Sequence, residues 1–142
     1  MIGDRDAGGP PARHRALALV VDDNPRVRQT VSTLLAQLGL DAMTRDDAVD
    51  IVEVARRHVP AVIVLDLVLP LMDGAAAIVQ LRQHPETRSI PIIVISGYAK
   101  EMKRVRDMGQ LAPLVFLRKP FTLDDLRGAV MEARDLAPKN PS

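Results

Sequence analysis

Five short strand-like runs punctuate the chain: ALALVV (16–21), LDAMT (40–44), AVIVL (61–65), IPIIVIS (90–96) and PLVFL (113–117). Between and after them, apolar residues recur every three or four positions, the spacing of one helix face. Val27, Val31, Leu34, Leu35 and Leu38 form the first such set, entered at Pro25 and closed by Gly39. Ala48, Val49, Val52 and Ala55 form the second, running to Pro60, and Ile78 and Leu81 mark a third after a loop over 67–73. A fourth carries Met102 and Val105; the last opens at Thr122, with Asp125 as capping-box partner and Leu123, Leu126 and Val130 inward. Strict alternation of this kind needs crossover connections, and therefore predicts an α/β fold: a doubly wound parallel sheet of five strands with helices on both faces.

A chain of 142 residues is long enough for one hydrophobic core and short for two. With 47% hydrophobic and 26% charged residues and a net charge of +1, nothing global draws it to nucleic acid or to acidic membranes. The absence of cysteine excludes disulfides, thiolate metal sites and cysteine nucleophiles. The opening MIGDRDAGGPPARHR lacks the apolar stretch of an export signal, and no apolar run approaches the roughly 20 residues that cross a bilayer. A cytoplasmic protein is expected, with a frayed leader at 1–15, a domain at 16–136 and a loose tail at 137–142.

One carboxylate breaks the apolar pattern. In VIVLDLVLPLMDG (62–74), Asp66 stands among Val64, Leu65, Leu67 and Val68, where desolvation is costly unless a cation or hydrogen-bond donor meets it. In open α/β sheets the ligand crevice lies beyond the carboxyl ends of the strands. Those ends carry Asp22 and Asp23 after the first strand, Asp66 at the third, Ser96 after the fourth and Lys119 after the fifth. Three crowded carboxylates repel one another unless a cation joins them, and an all-oxygen set suits Mg²⁺ better than zinc. Lys119 and Ser96 could then hold the oxygens of a phosphoryl group placed on Asp66. The set reads as a phosphoryl-transfer site in which a carboxylate is the nucleophile and positioning and charge neutralisation supply most of the catalysis.

With these motifs in order, residues 16–136 resemble the response regulator receiver domains of two-component signalling. LVVDDNP is similar to the family's acidic pair, VIVLDLVLPLMDG to its phosphoacceptor strand and loop, IVISGY to its hydroxyl-bearing strand end and FLRKPF to its lysine-proline segment. The resemblance implies a flavodoxin-like sheet of strand order 2-1-3-4-5. It also implies phosphorylation of Asp66, with Asp23 a direct Mg²⁺ ligand, Asp22 holding the ion mainly through water, and the Val68 backbone carbonyl completing the protein's ligands. Ser96 would bind the phosphoryl group and Lys119 would pair with Asp66 before transfer and with that group afterwards. Phe116 matches the aromatic switch that turns inward, and Lys119-Pro120 matches the family's cis peptide.

The implied function is that of a single-domain response regulator, phosphorylated by a sensor histidine kinase or phosphotransfer protein. It would signal to a downstream protein through the face of helix four, strand five and helix five. Met1 favours a complete chain, and too few residues follow the last helix for a helix-turn-helix module, so neither nucleic acid nor membrane is an expected partner. The stretch GQLAPLVF lacks the Gly-Ala-Asp-like turn of many receivers and, with SGYA, looks more like receivers of hybrid histidine kinases or stand-alone regulators; Leu69 stands where methionine is frequent. A receiver fragment of a hybrid histidine kinase is one alternative.

Another is a Mg²⁺-dependent phosphohydrolase with an aspartate nucleophile. Such enzymes want a second acid two residues on, where this chain has Val68. Elsewhere, Asp46-Asp47, Asp73 and Asp124-Asp125 read as helix caps or dipole partners. His14, His58 and His84 read as surface residues, and KEMKRVRD (100–107) as a solvated helix face or a partner surface. Val68 and Tyr98 occupy the positions that, in the family, flank the path of the hydrolysing water. Neither is an acid or amide, so slow self-dephosphorylation is expected.

Overall fold

The alternation of strand and helix signals is realised in the computed structural model, which describes residues 15–138. Most of the expected leader, the end of the tail and His14 lie outside the described residues. The elements run β1 (Ala16–Val21), α1 (Pro25–Gln37), β2 (Leu40–Arg45), α2 (Ile51–His58), β3 (Val62–Asp66), α3 (Gly74–Gln83), β4 (Ile92–Ser96), α4 (Ala99–Met108), β5 (Leu114–Arg118) and α5 (Leu123–Leu136). All strand pairings are parallel, in the order β2-β1-β3-β4-β5. Strand order therefore reverses between β1 and β3, and the crevice rule directs attention to their carboxyl ends.

Because side chains alternate across a strand, each strand feeds two cores. Leu19 and Val21, Ile63 and Leu65, and Ile92 and Val94 pack on one face with Ile51, Ile78, Leu81, Met102 and Val105 of α2, α3 and α4. Ala18 and Val20, Val62 and Val64, Ile93 and Ile95, and Val115 and Leu117 pack on the other with Val31, Leu35, Leu126 and Val130 of α1 and α5. Burial on both faces explains why the inner strands read as continuous apolar runs.

The helix caps follow local chemistry. Asn24 caps α1, its side chain accepting from the amides of Arg26 and Val27, and Asp73 caps α3 by accepting from Ala76 N at 2.8 Å. Thr122 and Asp125 form the expected reciprocal capping box of α5. The second helix starts later than its periodicity suggests. Asp47 Oδ1 accepts from Val49 N at 2.9 Å and turns the chain, so α2 begins only at Ile51, and neither Asp46 nor Asp47 caps it. His58 and His84 are exposed at helix ends.

At the opposite end of the sheet from the crevice, Arg82 is placed without a carboxylate partner among the described residues. Its guanidinium donates to the backbone carbonyls of Leu111 (2.8 Å), Ile90 (2.8 Å), Arg88 (3.1 Å) and Pro113 (2.8 Å). Burial lowers its pKa to about 10, so it remains a cation at neutral pH. One side chain of α3 thus satisfies the loops that lead into β4 and β5. Arg82→Met should lower unfolding free energy by about 3 kcal/mol in a urea titration, because several carbonyls, most of them partly buried, lose their donor together. Arg82→Lys should recover only part, since a single ammonium cannot span the same fork. A loss indistinguishable from that of an ordinary surface substitution would contradict this role.

Candidate functional site

Strand parity decides which residues meet at the crevice. Asp66 has the parity of Val62 and Val64, and Asp22 and Lys119 continue that of Val20 and Leu117, so all three fall on the face covered by α1 and α5. Lys119 Nζ donates to Asp22 Oδ2 at 2.8 Å and to Asp66 Oδ2 at 3.0 Å. The other Asp66 oxygen accepts from Val68 N at 3.1 Å, and the other Asp22 oxygen from Asn24 N at 2.9 Å. Asp22 is fully buried and Asp66 is 6% exposed, whereas Asp23 faces solvent.

The backbone around Asp66 is held closely. Leu67 N donates to Ile95 O at 3.1 Å, and Gly74 N closes the loop onto Leu67 O at 2.9 Å. A Cβ on Gly74 would lie 2.5 Å from the Asp66 carbonyl oxygen, so α3 can start this close to the strand end only with glycine. On the other side, Lys119 N donates to Ser96 O at 2.9 Å, and the Lys119-Pro120 peptide is cis, as is Ala112-Pro113.

These contacts set the electrostatics. Burial raises the Asp66 carboxyl above its usual range; the Val68 amide and Lys119 pull it back in part, and the Asp22 charge pushes it up further. Burial alone would lower Lys119, but its hydrogen bonds to Asp22 and Asp66 outweigh that and hold it above the ordinary ammonium value. Three carboxylates, Asp22, Asp23 and Asp66, each bring an oxygen within 4.8 Å of the others. One ammonium leaves this group two negative charges in excess. All the donors are hard oxygens, with no histidine or cysteine among them, so the set fits a small divalent cation of the Mg²⁺ kind. The cleft above, of about 460 Å³, is lined by these residues with Asn24, Val68, Gly97 and Tyr98.

Of the residues singled out in the sequence, Asp22, Asp23, Asp66, Val68 and Lys119 are thus brought together. Ser96 and Phe116 are not. Both have the opposite strand parity, on the side of α4. Ser96 is buried, and its Oγ accepts from Tyr98 N at 2.9 Å and donates to Tyr98 O at 3.4 Å, within its own loop. Phe116 is half-buried beside α4, with the Arg106 guanidinium 4.4 Å from its ring centre.

Sequence reasoning missed Arg28, whose Nη1 donates to the Asp22 carbonyl at 2.7 Å, and missed Asn24, which caps α1. The clue to both was the spacing Asn24-Pro25 and then Arg28, one turn into a helix.

A family model described as the response regulator receiver domain matches residues 18–131. Protein PilG of Pseudomonas aeruginosa is 30% identical over 117 residues, 79% of this chain and 82% of PilG. Of several longer curated relatives the chain spans only between 8% and 48%. Among solved structures, a sensor protein from Polaromonas sp. JS666 superposes with a TM-score of 0.79 at 29% identity, covering 85% of this chain and 97% of that one. The receiver domain of the sensor histidine kinase PA1611 from Pseudomonas aeruginosa PAO1, described with a magnesium ion coordinated in its active site cleft, superposes with a TM-score of 0.76 at 26% identity, covering 85% and 98%. Among the described residues no helix is long and apolar enough to cross a membrane.

The raised Asp66 pKa has a measurable sign. A carboxyl whose folded pKa lies above its unfolded value opposes folding once ionised. In metal-free buffer, Asp66→Asn should therefore raise the thermal midpoint by a few degrees at neutral pH. That gain should be absent below the unfolded pKa and grow as pH rises through it to the folded one. A variant no more stable than wild type at neutral pH would show that Lys119 compensates the burial fully.

Proposed function

The chain belongs to the response regulator receiver domain family, and from that premise we propose that it is a phospho-accepting switch whose acceptor is Asp66. The observation that carries this reading is the Lys119 ammonium bridging Asp66 and Asp22 beside a third carboxylate. Members of this family are signalling domains rather than enzymes that turn over a diffusible substrate. The donor would be a histidine kinase or phosphotransfer protein, bearing the phosphoryl group on an imidazole nitrogen.

In the transfer, one Asp66 carboxylate oxygen forms the new O–P bond as the donor's N–P bond breaks. The bonding pair stays on the imidazole nitrogen, and the product is an acyl phosphate. Lys119, already between the two acids, moves its donor bond from the Asp66 carboxylate to a phosphoryl oxygen. Asp22, Asp23, Asp66 and the Val68 carbonyl would hold Mg²⁺. When bound, that ion supplies neutralisation of charge on the transferring group.

Ser96 is the residue that must change partner. Its hydroxyl is engaged with Tyr98 on the parity opposite to Asp66, so engaging the phosphoryl group requires breaking those bonds and drawing the β4–α4 loop inward. That movement abuts α4 and the half-buried Phe116. The face of α4, β5 and α5 would then present a different surface to a downstream protein. A phosphoryl group biases such an equilibrium by the difference in its interactions with the two states.

Intact-mass analysis after incubation with acetyl phosphate and Mg²⁺ tests the acceptor. The wild type should gain one phosphoryl group and Asp66→Ala none; an equal adduct on both, or none on either, contradicts the assignment.

Loss of the phosphoryl group should be slow. Val68, 48% exposed, and Tyr98, 63% exposed, line the cleft at the two positions that flank the path of the hydrolysing water in the family, and neither of these two carries an amide or acid to orient it. Followed by phosphate-affinity gel, the phosphorylated form should persist for many minutes, and Val68→Asn should shorten its lifetime about tenfold by placing a polar group beside the attacking water. A wild-type lifetime of seconds would count against this account.

A further inference from the structure

The least restrained member of the acidic group is Asp23. Its carboxylate makes no hydrogen bond or ion pair with any described residue, yet it lies within 4.8 Å of the oxygens of Asp22 and Asp66. Its aim must come from the backbone that carries it. Just upstream, Asp22 is bonded at every polar group. Its N–H donates to Arg45 O at 3.2 Å, Oδ1 accepts from Asn24 N, Oδ2 accepts from Lys119, and its carbonyl accepts from Arg28 Nη1 at 2.7 Å.

The carbonyl bond is the informative one. β1 ends at Val21, and among the described residues no other donor reaches that oxygen. The Asp22 carbonyl and the Asp23 amide share one rigid peptide plane, so a donor fixed on the carbonyl also fixes the direction in which Asp23 leaves it. Arg28 is itself anchored, because its own N–H donates to Asn24 O at 3.0 Å in the first turn of α1.

We propose that Arg28 is a positioning residue for the cation-binding cleft: its bond to the Asp22 carbonyl locks the Asp22-Asp23 peptide and so holds the otherwise unpartnered Asp23 carboxylate on the ion side. The inference rests on the reading that these acids take a divalent cation, and it assigns Arg28 a part in that binding without contact with the ion.

Two consequences of Arg28 oppose each other, which makes the test decisive in sign. A guanidinium near the acids repels an incoming dication, so charge alone predicts that its removal tightens Mg²⁺ binding. Loss of positioning predicts the reverse. Mg²⁺ titrated calorimetrically into wild type, Arg28→Met and Arg28→Lys should give a dissociation constant about tenfold higher for Met, the scale typical of residues that orient a metal's ligands, and a value close to wild type for Lys. Equal or tighter binding by Arg28→Met overturns the proposal. So does a variant whose metal-free thermal midpoint falls while its Mg²⁺ affinity stays unchanged, since the role is then structural only.

Should Arg28→Met fail to fold, low-temperature NMR of the wild type decides. Separate, slowly exchanging Arg28 Nη–H resonances are expected, and a freely rotating guanidinium would rule the carbonyl lock out. Wild-type protein that takes up no Mg²⁺ sinks the cation reading and this inference together, whereas normal uptake with insensitive variants sinks this inference alone.

Discussion

Lys119 sits between two buried carboxylates that would not otherwise tolerate each other. Asp22 and Asp66 are both withdrawn from water, and the Asp22 charge adds to what burial already costs Asp66. Bringing two such groups together is unfavourable unless a cation is held at hydrogen-bond distance from both, and the ammonium at 2.8 and 3.0 Å does this. The arrangement depends on three strands ending at one level with one parity. β1 and β3 are neighbours in register, with Val21 opposite Leu65, so Asp22 and Asp66 follow in step; β5 lies beyond β4 and supplies Lys119 from the far side. Remove the register and the charges no longer compensate.

The scaffold keeps that register from both ends. At the crevice, Gly74 lets α3 begin against the Asp66 backbone, and the Leu67 amide stays tied to β4. At the opposite end, Arg82 gathers the carbonyls before β4 and β5, so the strands carrying Ser96 and Lys119 enter the sheet from fixed points. Neither device touches the chemistry. Each removes freedom from a loop whose displacement would carry a functional side chain with it.

Most of the fold was legible because it is periodic. Two-sided burial leaves continuous apolar runs, one-sided burial leaves helical spacing, and the reversal of strand order follows from the resemblance carried by the acidic, hydroxyl and lysine positions. What stayed hidden is aperiodic. Arg28 and Arg82 act through long side chains on backbone carbonyls, a partnership that leaves no mark on the identity of the accepting residue. The late start of α2 is similar in kind: Val49 fits the apolar spacing, yet the Asp47 side chain takes its amide and the residue ends outside the helix, 54% exposed. Parity also separates what sequence order groups together. Ser96 and Lys119 both end strands, but only Lys119 points to the acids, because the alternation on β4 turns Ser96 toward α4.

Several local preferences go unmet in and near the cleft. Asp66 is a carboxyl whose pKa is raised by its burial, Asp23 has no partner among the described residues, and Leu71, in the loop that follows Asp66, is 83% exposed with φ at +69°, a left-handed conformation that costs a leucine about 1–2 kcal/mol. A chain selected for stability alone would relieve these conflicts with an amide at 66 and a glycine at 71. The proposed cation would neutralise the excess carboxylates around the single ammonium, and the proposed phosphoryl group would draw the Lys119 donor to itself. Ser96 and Phe116 stand one strand-parity away, engaged with Tyr98 and with Arg106, and in the proposed switch each would have to give up partners it already has. The resting structure is thus held by bonds that are individually modest, and that is the condition under which one added group can change which set is made.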